Sequence, residues 1–300
     1  MSAVTATGTA TPAGAQGGFP GAAAAPVTLA LLGPVAAGVG GRSVAVDGRR
    51  QRVVLSLLAL ARGRVVSVRT LADAIWGERT PLSARPQIAL CVRALRAAFR
   101  GAGHGEPLIV GAASGYRLCV EQVGVDVLDF DALVDAAACS AAAGPGGVEE
   151  AGELYRRALG LWRGPALDGV GGRVTEGEAA RLHARRAAAA RALLDVGETL
   201  LADGLFDEAE GAFADALSAG EALDDLSLIG EGALALGRLC RMLRRTGRAG
   251  RSLAAARVAF LRVGDAGGMG RVSAEIVALA ECVAEAPGAV DLVPRQGRRA

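Results

Sequence analysis

The sequence predicts a two-part fold: an α+β winged helix-turn-helix domain over residues 27–120, followed by an all-α, tetratricopeptide-like helical domain over residues 121–285. Three observations predict it. Short strand signals alternate with amphipathic helical ones up to residue 120, whereas beyond residue 125 every signal is helical. Charge divides the chain at the same place. Residues 27–120 carry thirteen Arg against Asp47, Asp73, Glu78 and Glu106, a net +9, while residues 121–300 carry a net −7 within a total of +2. Finally, the spacing Ala151/Tyr155/Ala158-Leu159 recurs as Ala209/Phe213/Ala216-Leu217, the small-residue pattern of stacked helical hairpins.

Residues 1–26 hold no charge and only small or turn-forming residues for most of their length, which reads as a disordered tail; residues 286–300 read as a flexible one. A secretory leader is the rival reading of the N-terminus. No basic region precedes the apolar stretch, and Pro26, Pro34 and several glycines interrupt it, so a cytoplasmic chain with no membrane partner is expected.

Val27–Leu32 reads as a strand, Gly33-Pro34 as a turn, and Ser43–Val46 as a second strand closed by Asp47-Gly48. From Arg50 to Ala61, Val53, Val54, Leu57, Leu58 and Leu60 recur at helical spacing. Ser67 supplies the cap of a second helix that runs through Trp76 and ends at Gly77. A third helix spans Ser83 to Arg100, with Ser83 as its cap and Pro86 tolerated in the first turn. Leu108–Val110 and Tyr116–Val120 then flank the turn Gly111–Gly115 as a β-hairpin. The helical part divides into 128–142, 148–162, 175–203, 206–219, 226–245, 248–263 and 271–285.

The third helix carries the chemistry. A step of about 100° per residue puts Ile88, Val92, Leu95 and Phe99 on one stripe and Gln87, Leu90, Arg93, Ala94 and Ala97 opposite it. That division suits a recognition helix, seated on its domain by one side and offered to a DNA major groove by the other. Arg93 would pair with guanine and Gln87 with adenine, since their forked donors and acceptors match those base edges. Arg50, Arg85, Arg96 and Arg100 are placed to hold phosphates, as are Arg117 and the amides around Ser114 in the hairpin.

Other chemistry is excluded or poorly supported. All 33 basic residues are Arg, so no Schiff-base lysine and no Gly-Lys phosphate loop exists. The five Cys never fall as C-x-x-C, and His104 and His183 stand alone, on a loop and a helix surface respectively. Gly38-Val39-Gly40-Gly41 does not run into a helix and reads as a strand connection. Cys91 falls near the buried stripe, where a small core thiol outweighs a redox sensor. No catalytic residue, cofactor or metal ligand is assigned.

Several fragments stand in a familiar order: Leu32-Gly33-Pro34, Arg50–Leu55, Ala74-Ile75-Trp76-Gly77, Ser83-Ala84-Arg85, Val92–Arg96, Gly115-Tyr116-Arg117-Leu118, Leu133–Ala137, Ala158–Leu167 and Thr246-Gly247-Arg248. Over about residues 29–262 the chain resembles the Streptomyces antibiotic regulatory protein family, which joins an OmpR-type winged helix to a bacterial transcriptional activation domain. The resemblance implies an activator of a secondary-metabolite cluster that binds direct repeats in double-stranded promoter DNA, self-associates there as a homo-oligomer, and recruits RNA polymerase. Positions that are polar or basic in the family are Ala89, Cys91 and Ala94 here. They motivate an alternative: a helical-repeat interaction scaffold with a degenerate DNA-binding domain.

Overall fold

The computed structural model describes residues 26–285, so the expected tails lie outside the described residues except for Pro26. β1 (Val27–Ala30), β2 (Ala36–Val39) and β3 (Arg42–Val44) form an antiparallel meander, with Val27, Leu29, Val39 and Val44 turned into the core. β2 is absent from the sequence reading because Ala-Ala-Gly-Val carries little strand propensity. It accounts for Gly38-Val39, while Gly40 and Gly41 (φ 55° and 80°) make the hairpin turn to β3. β3 stops at Val44, short of the expected Val46.

α1 (Arg49–Leu60) is the central helix of this part, with every residue from Val53 to Ala59 buried. Two-residue β4 (Val66–Ser67) leads into α2 (Val68–Trp76), whose expected cap forms: Ser67 Oγ accepts the Thr70 amide at 3.0 Å. Gly77 ends α2 at φ 60°. α3 (Ala84–Gly101) follows with Pro86 in its first turn. Ser83 precedes it but does not cap it with its side chain; its hydroxyl accepts a hydrogen bond from Gln87 Nε2 at 2.7 Å instead.

The hairpin is β5 (Ile109–Ala112) with β6 (Gly115–Leu118), tighter than expected because only Ala113 and Ser114 form the turn. β6 also pairs with β4, and a Cβ on Gly115 would stand 1.9 Å from the Val66 carbonyl oxygen, so a glycine must begin this strand. After the hairpin the chain returns to the first sheet. β7 (Val123–Val125) lies parallel to β1, pairing Val123 with Val27. The range expected to be all-helical from residue 121 therefore opens with a strand of the N-terminal sheet. Three residues containing a glycine give too short a run to register as periodic.

The helices are α4 (Asp126–Ala142), α5 (Val148–Gly160), α6 (Arg173–Ala202), α7 (Phe206–Leu223), α8 (Leu226–Met242), α9 (Thr246–Val263) and α10 (Ala266–Ala284), each packed on the next. Both copies of the repeated pattern are buried, at Ala151, Tyr155 and Ala158 and at Ala209, Phe213 and Ala216. A third copy, Ala249/Leu253/Ala256, follows 40 residues after the second, with leucine in the aromatic position. The same interval relates Gly197, where a Cβ would come 2.6 Å from Phe213, to Gly237, where it would come 2.6 Å from Leu253. Asp225 and Asp265 share the interval too, each capping its helix by accepting a backbone N–H three residues on. The Asp265 cap carries α10 through Gly267, Gly268 and Gly270, so it starts five residues before the expected 271.

The two parts share one continuous core. The segment between α5 and α6 straps them together. The amides of Arg163, Leu167 and Asp168 donate to the carbonyls of Leu32 (2.7 Å), Leu31 (2.8 Å) and Gly33 (3.1 Å). At the head of α4, the Asp126 carboxylate accepts the Leu31 amide at 2.8 Å and the Leu32 amide at 2.9 Å.

Candidate nucleic-acid interface

The apolar stripe of α3 is buried as its spacing requires: Ile88, Val92, Leu95 and Phe99 are each no more than 1% exposed. The opposite side stands free, with Leu90, Arg93 and Ala97 exposed and Gln87 and Ala94 half-buried. Alongside it runs a groove of about 540 Å³ between α3 and the strand β5. Arg93, Arg96 and Arg100 line one wall, and Leu108, Ile109 and Val110 line the other. The three arginines recur at i, i+3 and i+7, so one side of the helix presents them together. Arg117 sits directly across from Val110 in the hairpin register, which puts both side chains on the same face.

The six expected backbone contacts differ in their freedom. Arg85 is exposed on the first turn of α3. Arg96 is half-buried, and its Nε donates to the Ile109 carbonyl at 2.9 Å, tying the helix to the hairpin while the rest of the guanidinium lines the groove. Arg100 Nε donates to the Arg96 carbonyl at 3.3 Å. Ser114 is exposed at the hairpin turn, where its carbonyl accepts the Val68 amide at 2.9 Å and fixes the tip against the start of α2. Arg50 departs most from expectation. Its Nη1 donates to Gln87 Oε1 at 2.6 Å, and its guanidinium lies 5.3 Å from the centre of the Trp76 ring.

Arg50 thus braces α1 against α3, a pairing across 37 residues that no local pattern discloses. Gln87 is held at both ends of its amide, by Arg50 and by Ser83. Arg93 is the exposed base-reading candidate, with no ion pair among the described residues. Cys91 packs against the core, and burial pushes its thiol above the usual range, with the nearby Arg50 charge opposing only in part. That favours the core-thiol reading over the redox sensor.

His104 lies on a loop as expected but is buried, and His183, expected on a helix surface, is half-buried on α6. His104 is 1% exposed, in the turn after α3, with neither ring nitrogen bonded among the described residues. His183 is half-buried and accepts the Ala166 amide at Nε2 (2.9 Å).

The helical half matches the bacterial transcriptional activator domain over residues 125–255. The chain is 36% identical over 165 residues to the regulatory protein DnrI of Streptomyces peucetius, covering 52% of this chain and 59% of DnrI. It is 33% identical over 175 residues to the transcriptional regulator RedD of Streptomyces coelicolor, covering 56% of this chain and 48% of RedD. These matches support the resemblance of the chain to the Streptomyces antibiotic regulatory protein family. It also matches the regulatory protein AfsR of S. coelicolor, at 33% identity over 154 residues, 51% of this chain and 15% of AfsR. The chain therefore spans less than two thirds of each of these curated relatives. Among solved structures, Mycobacterium tuberculosis EmbR, captured with a low-affinity phosphopeptide, superposes with a TM-score of 0.63 at 26% identity, covering 87% of this chain and 70% of EmbR. No helix of the described residues is long and apolar enough to cross a membrane.

Proposed function

We propose that the chain is a DNA-binding transcriptional regulator of winged helix-turn-helix type, which lays α3 in the major groove of promoter DNA and sets the β5–β6 hairpin against the adjoining backbone. The groove between α3 and β5, walled by Arg93, Arg96 and Arg100, carries this reading. A strand of phosphates running along such a groove meets the Nη donors of Arg96 and Arg100, and the net +9 of residues 27–120 draws the polyanion in. Arg93 and Gln87 read bases, Gln87 by exchanging its bonds to Arg50 and Ser83 for a base edge. Arg85, Arg96, Arg100, Arg117 and the Ser114 region hold the backbone. Arg50 acts through Gln87.

The family resemblance supports the rest: activation of a secondary-metabolite cluster from direct repeats, copies of the chain associating on DNA, recruitment of RNA polymerase, and a cytoplasmic, non-enzymatic role with no cofactor. Binding of the full chain to promoter fragments, measured across a salt series, tests the site. Affinity falls steeply as salt rises, Arg96→Ala weakens all sequences alike, and Arg93→Ala relaxes preference at one base position by about 1–3 kcal/mol. If neither substitution changes binding, the assignment fails.

A second reading rests on the doubly bonded Gln87 amide beside Ala89, Cys91 and Ala94: a scaffold whose helices dock a protein and whose α3 no longer reads bases. A stable protein partner combined with absent footprints would favour it.

A further inference from the structure

A second cleft, of about 480 Å³, lies among α5, α6 and α7 in the helical half. Its polar lining is unbalanced. Arg156 engages both acids, with Nε 2.8 Å from Asp215 and Nη1 3.7 Å from Glu153, which leaves Arg157 and Arg186 without a carboxylate among the described residues. Arg186 is only 8% exposed, and its Nε has no acceptor. Trp162 is 9% exposed, and its indole N–H has none either. The Arg186 guanidinium stands 4.7 Å from the centre of the Trp162 ring.

Burying a cation without a counter-charge is costly, and leaving an indole donor unmet adds to the cost. The neighbouring His183 does not relieve it, because its Nε2 is occupied by the Ala166 amide. Burial also holds Arg186 below the usual arginine value. An anion is the chemistry that suits these unpaired donors. A planar guanidinium resting on an aromatic face matches a carboxylate through two parallel hydrogen bonds. The volume exceeds what an inorganic ion fills and lies in the range of small-molecule sites.

We propose that this cleft binds a small organic carboxylate, its anion received by Arg186 and Arg157 and its body lying against Trp162. The strap that joins the two halves of the chain begins at the next residue, Arg163, so an occupant here adjoins the bonds to Leu31, Leu32 and Gly33. The proposal goes beyond the regulator reading and is tested without DNA.

The probe is sodium benzoate, with benzamide as its neutral analogue at matched ionic strength, added to the full chain and followed by thermal unfolding and titration calorimetry. Benzoate well above its Kd is expected to raise Tm by roughly 2–4 °C, climbing with the logarithm of its concentration, and benzamide to leave it unchanged. Arg186→Met keeps the volume and removes the charge, and is expected to abolish the benzoate effect. Arg157→Gln, at an exposed position, is expected to weaken benzoate about tenfold. The proposal is overturned if benzoate does no more than benzamide, or if both variants respond as the wild type does. Should Arg186→Met fail to fold, undiminished affinity in Arg157→Gln overturns it alone.

Discussion

Replacing Asp126 by Ala would cut the joint between the two halves of the chain. The carboxylate is 14% exposed and accepts the amides of Leu31 (2.8 Å) and Leu32 (2.9 Å), two residues with no exposed surface. A hydrogen bond to a charged acceptor contributes about 1.5–3 kcal/mol, and Asp126→Ala also strands both buried donors. The combined cost is about 3–5 kcal/mol, because the costs of lost bonds and stranded donors overlap. Asp126→Asn keeps one acceptor but turns an NH2 group toward the second amide, for roughly half that loss. Arg163→Ala removes a 3.3 Å contact to Asp126 and a 3.2 Å bond to the Pro34 carbonyl, both from a guanidinium that is 42% exposed, together worth about 1 kcal/mol. Urea unfolding followed by circular dichroism and tryptophan fluorescence measures all three. Trp76 reports on the N-terminal part and Trp162 on the helical part, so loosening the joint should separate the two transitions in Asp126→Ala. A loss below about 1 kcal/mol, with the transitions still coincident, would refute the role given to Asp126.

The other predictions are more local. Gly197→Ala would place a Cβ 2.6 Å from the buried Phe213 ring and should cost about 1–2 kcal/mol after the gain in helix propensity is counted. Gly177→Ala in the same helix meets no neighbour and should stabilise by up to about 1 kcal/mol; thermal melts distinguish the pair. His183 is held below the ordinary histidine value by burial and then by the Arg186 charge, so the fold favours its neutral form. Its contribution to stability is therefore complete above the ordinary value of 6.5 and is lost as pH falls from there through the lower folded value. His183→Gln should flatten the Tm profile in that window, and an unchanged slope would count against the assignment. Arg50→Met should release Gln87 and alter sequence preference in DNA binding while leaving the salt dependence nearly as it is, since Arg50 is a brace more than a phosphate contact.

Much of this was legible in the residues because it follows from periodicity. Ile88, Val92, Leu95 and Phe99 repeat every three to four positions, so the buried side of α3, and with it the exposed side, can be read directly. The two copies of the Ala-aromatic-Ala pattern similarly announce the helical array, whereas the third lacks that mark because Leu253 replaces the aromatic ring. The strands β2, β4 and β7 are two to four residues long and depend on partners elsewhere in the chain, so their sequences carry little signal. The same holds for side chains that act at a distance. Asp126 reaches Leu31 across 95 residues and Arg50 reaches Gln87 across 37, neither of which local spacing encodes. At Ser83 one local contact displaces another, since its hydroxyl serves Gln87 four residues on and not the helix end. The longest fragment of the family resemblance, Ala158–Leu167, gains a physical reason: it runs from the buried face of α5 through Trp162 into the strap that ties the two halves.

The most direct test is a chromosome-wide binding map of the tagged chain beside its Arg93→Ala/Arg100→Ala variant, with footprinting of the leading sites at physiological salt. The account predicts discrete peaks over regularly spaced direct repeats near biosynthetic promoters, lost in the variant while circular dichroism shows it folded. A folded wild-type chain that yields no peaks, or peaks that survive the loss of both arginines, would contradict it.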